Sequence, residues 1–315
     1  MKEVFHFRVE QTDNRKRFDE FLFQRLGMVS KMHLRNLLKE GVGKVNHVPE
    51  KPGFRLKTDD EIEIKVDLSS ETSMKPDSIR LEILFEDNEI LVINKPPEML
   101  VHPTLGVKSG TLVNAVSFHL NQRVFEALSD EALKAIPKEQ REIEKLRAEI
   151  IRPGLIHRLD KQTSGLIVIA KTERAHKILS GHFQRKLVEK KYLALVEGIV
   201  QKESGVIHAP IGHDENLRRW CVLENGKASE TRFRVLRKNR DTSLLELEPV
   251  TGRTNQLRIH CAHLGHSMVG DTARGGREFV RLCLHAYKLS FWHPNGTERL
   301  EFEIETPESF DLIDA

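Results

Sequence analysis

Gly154-Leu155-Ile156-His157-Arg158-Leu159-Asp160-Lys161-Gln162-Thr163-Ser164-Gly165-Leu166-Ile167-Val168-Ile169-Ala170-Lys171 is the stretch on which the reading of this chain turns. A polar loop with a single acid runs into the apolar segment Leu166 to Ala170. Four of those five residues are Leu, Ile or Val and the segment follows a glycine, which is the pattern of a buried strand. A buried strand is a rigid mount, and a carboxylate on a loop anchored to it faces outward in a fixed place. An isolated loop Asp more often caps a turn or pairs with a nearby Arg, so the meaning of Asp160 depends on the rest of the chain.

The 315 residues fit about two domains at roughly 100–200 residues each. At 39% apolar and 31% charged, the chain is expected to be soluble with a substantial core. The formal charge of +3 does not announce nucleic acid by itself. Its distribution says more: residues 15–44 carry eight Lys or Arg against three acids. Such a stripe either neutralises phosphates or is a solvated helix face. The three cysteines, Cys221, Cys261 and Cys283, are odd in number and far apart, which points to a reducing compartment rather than a disulfide framework. The opening MKEVFHFRVE lacks the apolar core of a signal peptide, and no run approaches the roughly 18 apolar residues of a membrane span. A cytoplasmic protein without membrane contact is expected.

Along the chain, a short strand precedes two amphipathic helices. Phe18, Phe21, Leu22 and Leu26 share one face, with Gly27 ending the first helix. Ser30 can N-cap the second, whose face is Leu34, Leu37 and Leu38, and Gly41 closes it. A hairpin-like segment runs to Val66. Residues 69–79 are polar, contain Pro76 and show no apolar period, so they read as a linker between a domain at 1–68, with its core at 15–66, and one at 80–315. Strands are expected at Leu81–Phe85 and Ile90–Asn94, ending in Lys95-Pro96-Pro97-Glu98 and then Val101-His102-Pro103, and a helix at 111–120. Residues 121–150 hold six basic and seven acidic side chains and read as a charged helical insertion. Thr172 can N-cap a helix to about Lys186, and a strand follows over residues 190–198. Arg185, Lys186, Lys190 and Lys191 form a basic cluster beside it. Several short strands lead to Thr254, a candidate N-cap of a helix that Gly265 ends, and a hairpin over 282–291 and 299–305 closes the sheet. His260, Cys261, His263 and His266 raise a metal site, but Gly265 breaks the helix before His266 and no acid or Cys cluster supports one, so no metal is expected.

The block His157-Arg158-Leu159-Asp160, then Thr163-Ser164-Gly165 and an apolar strand ending Ala170-Lys171, resembles the signature of the RluA-type pseudouridine synthases, which isomerise uridine in ribosomal or transfer RNA. The resemblance extends over most of residues 80–305. Lys95-Pro96 with His102-Pro103 resembles the family's first motif, with Glu98 where a Gly is usual. Lys190-x-Tyr192-x-Ala194-x-Val196-x-Gly198 resembles its tyrosine strand, and Gln256-Leu257-Arg258 its third motif. Asn255 stands where a His is usual, and Gly270 to Gly276 lacks a usual Tyr; both positions are expected beside the site, and Glu98 is expected to alter its loop. Two short helices and a small sheet, with Lys31, Arg35 and Lys39 four apart on one helix face, resemble the small RNA-binding module first seen in ribosomal small-subunit protein four, with Ser30-Lys31 where Ser-Arg is usual and Val45-Asn46-His47 where Val-Asn-Gly is usual.

The resemblance implies an α+β chain: a mixed, mainly antiparallel central sheet with flanking helices, plus a small N-terminal α/β RNA-binding domain. It implies Asp160 as the catalytic aspartate, Tyr192 as the base-stacking tyrosine and Arg258 as the arginine that pairs with the aspartate. Leu257 would pack in the site, and Arg158 would hold or replace the flipped nucleotide. His157, Arg253, Lys95 and His102 are expected to line the cleft. Lys31, Arg35, Lys39, Lys44, Arg185, Lys186 and Lys191 are expected to meet RNA. The chemistry suits these residue types. The reaction breaks a glycosidic bond, turns the base and rejoins it through carbon 5, with no redox change, so neither cofactor nor metal is required. It needs a carboxylate as nucleophile or base, a cation to orient it, and an aromatic face and a filler for a flipped base. Ribosomal large-subunit RNA is the favoured partner, with transfer RNA second and no obligate protein partner evident. A non-catalytic RNA-binding or ribosome-assembly protein is the alternative. A glycoside hydrolase would want a second motif-borne acid, which is not seen.

Overall fold

The computed structural model describes residues 2–26, 29, 31–67, 76–104, 106–132, 151 and 153–313. By packing, the chain divides into two units, Met1–Arg80 with His102–Pro153, and Leu81–Val101 with Gly154–Ala315. Residues 102–153, which the sequence reading assigns to the larger domain, thus group with the N-terminal segment. Most of the expected linker and the insertion beyond Ala132 lie outside the described residues, as do Gly27 and Ser30.

In the first unit, β1 (Lys2–Arg8) pairs along its length with β4 (Glu61–Asp67), and β2 (Gly43–Val45) joins β4 to β3 (Val48–Pro49), all antiparallel. The β2–β3 turn places both Asn46 and His47 in the left-handed region, at φ 49° and 69°. The hairpin therefore keeps its path with a His at its second turn position, and the Asn46 amide fastens it by donating to Asp60 at 2.9 Å. Helices α1 (Phe18–Arg25) and α2 (Lys31–Lys39) bury Phe18, Phe21, Leu22, Leu34 and Leu38 against Ile62 and Ile64. The helix expected at 111–120 is longer, α3 spanning Leu112–Ala132. The Asn121 side chain donates to Ile151 O at 2.8 Å and accepts from its N–H at 2.6 Å, so one buried amide ties together the points where the charged insertion leaves and returns.

The second unit is built on a ten-stranded sheet, in the order β10 (Ser204–His208), β13 (Glu230–Lys238), β14 (Thr242–Pro249), β9 (Glu189–Glu197), β15 (Leu284–Trp292), β8 (Ser164–Ala170), β6 (Ile90–Lys95) and β5 (Glu82–Glu86), with β16 (Arg299–Glu303) on β15 and β7 (Gly154–Leu155) on β8. A separate hairpin joins β11 (Ile211–Asp214) to β12 (Arg219–Val222). Among the described residues every strand pairing is antiparallel except that of β8 with β15, so the sheet is mixed and mainly antiparallel, as expected. All seven residues of β8 are buried. The Gly of the Thr-Ser-Gly block is required here: Gly165 has φ +113°, and a Cβ on it would lie 2.3 Å from Ala286 O of the neighbouring strand. Helix α4 (Glu173–Gln184) starts as expected, with the Thr172 hydroxyl accepting from Ala175 N at 3.1 Å. It lays Ala175 and Leu179 over Leu166, Val168 and Ala170, and so holds β8 from one face. Among the described residues no helix is long and apolar enough to cross a membrane.

Candidate active site

Asp160 sits on the turn that leads into β8, its carbonyl accepting from Thr163 N at 3.1 Å. Lys95 fixes that turn from beneath. Its side chain is fully buried, and its ammonium donates to Pro96 O at 2.7 Å, Met99 O at 2.9 Å and Lys161 O at 3.1 Å. One cation thus joins the loop after β6 to the residue next to Asp160. The same loop carries Glu98 at φ +60°. Glu98 thus takes the left-handed conformation itself, and its carboxylate reaches Lys161 Nζ at 3.3 Å.

Asp160 opens into a cleft of about 720 Å³. Of the expected site residues, His157, Arg158, Asp160, Lys186, Tyr192, Arg253, Leu257 and Arg258 line it together. Tyr192 is buried on β9, beside Leu247 of β14 and Ala286 of β15. Leu257 and Arg258 come from the first turn of α5 (Gln256–His263). The N-cap of that helix is Asn255 at φ 54°, not Thr254. Asn tolerates that conformation, and the turn before the helix is fastened by the Gln256 side chain, which accepts from Arg253 N at 3.0 Å. Asn255, expected beside the site, is in it: it lines the cleft and accepts from Arg258 Nη1 at 3.5 Å.

Arg258 differs most from expectation. Its guanidinium forks onto Asp271, with Nε at 2.8 Å and Nη2 at 2.6 Å, rather than onto Asp160. Asp271 is 1% exposed and was not expected to take part. It is fixed by Gly270, at φ +79°, where a Cβ would lie 2.0 Å from Arg281 O. Arg274 adds its Nη1 at 3.9 Å from the same carboxylate. Among the described residues no hydrogen bond or ion pair engages the Asp160 carboxylate itself. Burial raises its pKa above the ordinary carboxylate value, against the opposing pull of Arg258, Arg158, Arg274 and Lys95, in that order. Burial pushes Lys95 down to about 8 and the Tyr192 phenol upward. For Arg258 burial acts downward, but the Asp271 hydrogen bonds and charge prevail and raise it.

His157 has a structural part. Its Nε2 accepts from Val168 N at 3.2 Å, its ring stacks on Phe183 at 4.7 Å, and burial holds its pKa at about 3, so it is neutral. Lys191 is on the wrong face of β9: it lies 3.7 Å from Glu189 and 3.5 Å from Glu246 and does not line the cleft. Lys190 does, 5.5 Å over the Phe183 ring and with its pKa lowered by burial. Strand alternation, which puts residue 190 on the face of residue 192, was the signal for it. Arg185 is exposed at the end of α4 and outside the cleft lining. His102 belongs to the first unit, as do the four cations expected to meet RNA there. Of these, Arg35 donates to the buried Asp19 at 2.6 Å and Lys44 to Glu63 at 2.9 Å; Lys39 is exposed and Lys31 lies 5.6 Å over the Phe23 ring. His260 is occupied on both nitrogens, by Thr231 Oγ1 at 2.9 Å and by Ser229 Oγ and Ala209 O at 3.0 Å.

The profile of the RNA pseudouridylate synthase family matches residues 89–263. An RNA pseudouridine synthase of Aquifex aeolicus is 35% identical, over 99% of this chain and 96% of its own. The ribosomal large subunit pseudouridine synthase D of Zymomonas mobilis is 32% identical, over 94% of this chain and 92% of its own. The solved structure of human RNA pseudouridylate synthase domain containing 1 superposes with a TM-score of 0.53 at 28% identity, covering 74% of this chain and 87% of that one.

Proposed function

We propose that this chain, which belongs to the RNA pseudouridylate synthase family and is thereby an isomerase of uridine in RNA, acts on large-subunit ribosomal RNA with Asp160 as its catalytic carboxylate and without a cofactor. The observation that carries the proposal is the setting of Asp160: a carboxylate with no hydrogen-bond or ion-pair partner among the described residues, in a cleft ringed by Arg158, Arg258 and Lys190 and walled by Tyr192. The name of the Zymomonas mobilis relative supports the choice of RNA.

The chemistry divides among these groups. Tyr192 offers its ring to the flipped base, an interaction worth ~1–3 kcal/mol. Asp160 either attacks the anomeric carbon, forming an ester that carbon 5 later displaces, or removes the ribose 2′ proton, leaving a glycal to which that proton returns as carbon 5 adds. In either case the bond from the anomeric carbon to N1 breaks and its electrons stay on the base. The base turns, carbon 5 bonds to the anomeric carbon, and the hydrogen of carbon 5 leaves as a proton. The buried setting keeps the carboxylate poorly solvated and therefore reactive, while Arg258, held by Asp271, supplies positive charge without quenching it by direct contact. Arg158, exposed at the cleft mouth, holds the flipped nucleotide or fills the space it leaves. The N-terminal helices and small sheet serve as an RNA-binding module, with Lys31 and Lys39 at phosphates.

The test is pseudouridine mapping of total RNA from cells lacking the protein, complemented with wild type or Asp160→Ala. Sites in large-subunit RNA that only wild type restores establish both substrate and acid. Sites confined to transfer RNA would replace the substrate, and equal restoration by Asp160→Ala would remove Asp160 from its role.

A further inference from the structure

The catalytic cleft takes its lining from the first turn of α5; the later part of the helix closes a second pocket, of about 450 Å³. Ile259, Ala262 and His263 form the helix side of it, and Arg219, Trp220 and Arg274 stand opposite. None of these six lines the catalytic cleft. Trp220 is 37% exposed, its indole oriented by an edge-on contact with His213 at 5.5 Å. Arg218, Arg219 and His263 are exposed around it. Of the acids on the hairpin, Asp214 is taken up by its own turn, accepting from Asn216 N and Leu217 N at 2.9 Å, and Glu215 lies beside it. Arg274 connects the two cavities. Its Nη2 is 3.5 Å from Trp220 O, and its Nη1 is 3.9 Å from Asp271, the carboxylate that holds Arg258. An oriented indole face beside guanidinium groups is the pairing that takes a base by stacking and its phosphate by charge.

We propose that this pocket is a second nucleotide subsite, which stacks a base of the same RNA strand on Trp220 and takes the adjoining phosphate at Arg219 and Arg274. Successive turns of one eight-residue helix line the two cavities, a length of about 12 Å at roughly 1.5 Å per residue, which roughly three to four nucleotides cover at about 3.4 Å of rise each. The base on Trp220 is therefore a near neighbour of the uridine over Asp160, and the subsite selects the sequence context of the target. This placement rests on the uridine-isomerase reading, whereas occupation of the pocket by a nucleotide does not.

The experiment uses the full chain. Trp292 is the second of the two tryptophans, so Trp292→Phe leaves Trp220 as the sole indole reporter. Titration with oligouridylate is followed by Trp220 fluorescence and, in parallel, by anisotropy of the labelled RNA. Saturable quenching that tracks the anisotropy is expected. Trp220→Ala should weaken RNA binding by about 5- to 150-fold, the equivalent of ~1–3 kcal/mol. It should raise KM for unmodified ribosomal RNA with kcat little changed, and Trp220→Phe should recover most of the loss. Arg219→Ala should weaken binding and flatten its salt dependence. RNA bound by anisotropy with Trp220 fluorescence unmoved, or wild-type KM in Trp220→Ala, overturns the subsite while leaving the enzyme reading intact. Quenching without pseudouridine formation in any RNA upholds the subsite and removes the enzyme reading.

Discussion

Removing Asp271 is the most informative single perturbation. Its carboxylate is 1% exposed and carries two charge-assisted hydrogen bonds from Arg258, at 2.8 and 2.6 Å, and the Arg258 side chain is itself only 11% exposed. Asp271→Ala therefore strands a guanidinium that water reaches poorly. Breaking a buried pair in this way costs ~3–5 kcal/mol, which at ~2–4 °C per kcal/mol lowers Tm by about 6–20 °C. Replacing both partners, Arg258→Met with Asp271→Leu, should recover part of that loss, because only Arg274, 3.9 Å from the carboxylate, is then left without its acid. Activity should not recover, since the positive charge beside Asp160 has gone. The assays are thermal and urea unfolding, together with release of tritium from RNA labelled at carbon 5 of uridine, the position that loses its hydrogen. A double variant as unstable as Asp271→Ala would refute the clamp. A double variant with near wild-type turnover would refute the part given to Arg258.

Asp160→Asn should abolish turnover yet raise stability by ~0.5–2 kcal/mol at neutral pH. Because the fold raises the Asp160 pKa, its ionised form costs stability above the ordinary carboxylate range. The gap between variant and wild type should therefore close as pH falls through the raised value, read by urea midpoints; for the same reason the rate should climb with pH across that value. Lys190→Ala should raise KM and reduce the salt slope of RNA binding by about 0.7, whereas Lys191→Ala, on the opposite face, should leave both unchanged. Lys95→Met leaves three carbonyls without their donor and should cost ~3 kcal/mol or more in unfolding experiments, with turnover falling as the Asp160 turn loosens. Glu98→Gly should leave stability within ~1 kcal/mol of wild type: relief of a left-handed Glu, ~1–2 kcal/mol, is offset by glycine's unfolded-state entropy and a lost exposed ion pair. A loss above ~2 kcal/mol in denaturant titration would contradict that account.

The architecture was legible wherever hydrophobic period and local chemistry agree. The apolar run after Gly165 announced β8, and Thr172 announced the start of α4. The α3 helix reads as two pieces, one at 111–120 and a charged helical insertion from 121, because its later half is charged and carries a weak apolar stripe, while tertiary closure by Asn121 on Ile151 has no local signature. Thr254 has the hydroxyl that commonly caps a helix, but the helix starts at a left-handed Asn255 with no side-chain cap, and the side chain of Gln256 instead fastens the turn before it. Asp160, Tyr192, Leu257 and Arg258 fell in one cleft because each sits at the end or on the inner face of a regular element. Asp271 escaped notice because its partner is 13 residues away and its own neighbourhood is loop. Lys190 and Lys191 show a different failure, since their composition was read but their alternation was not.

That difference over Arg258 bears on how the site works. An arginine forked directly onto Asp160 would lower the pKa of the carboxylate and occupy the lone pairs that, in the proposed mechanism, attack carbon or accept a proton. Here a second carboxylate, Asp271, takes those hydrogen bonds, and Asp160 feels Arg258 and Arg274 through space. Orientation of the cation and reactivity of the acid are thereby assigned to different residues. Burial of Asp160 costs stability, and the double fork on Asp271 holds the cations that make that burial tolerable. It follows that Asp271→Asn, which keeps the shape of the clamp and an acceptor for Arg258 but removes its charge, should leave the field of Arg258 on Asp160 uncompensated and lower the Asp160 pKa. The rate-versus-pH curve should then shift to lower pH with a reduced plateau. A curve that falls in height with no shift would mean that Asp271 acts on the fold alone.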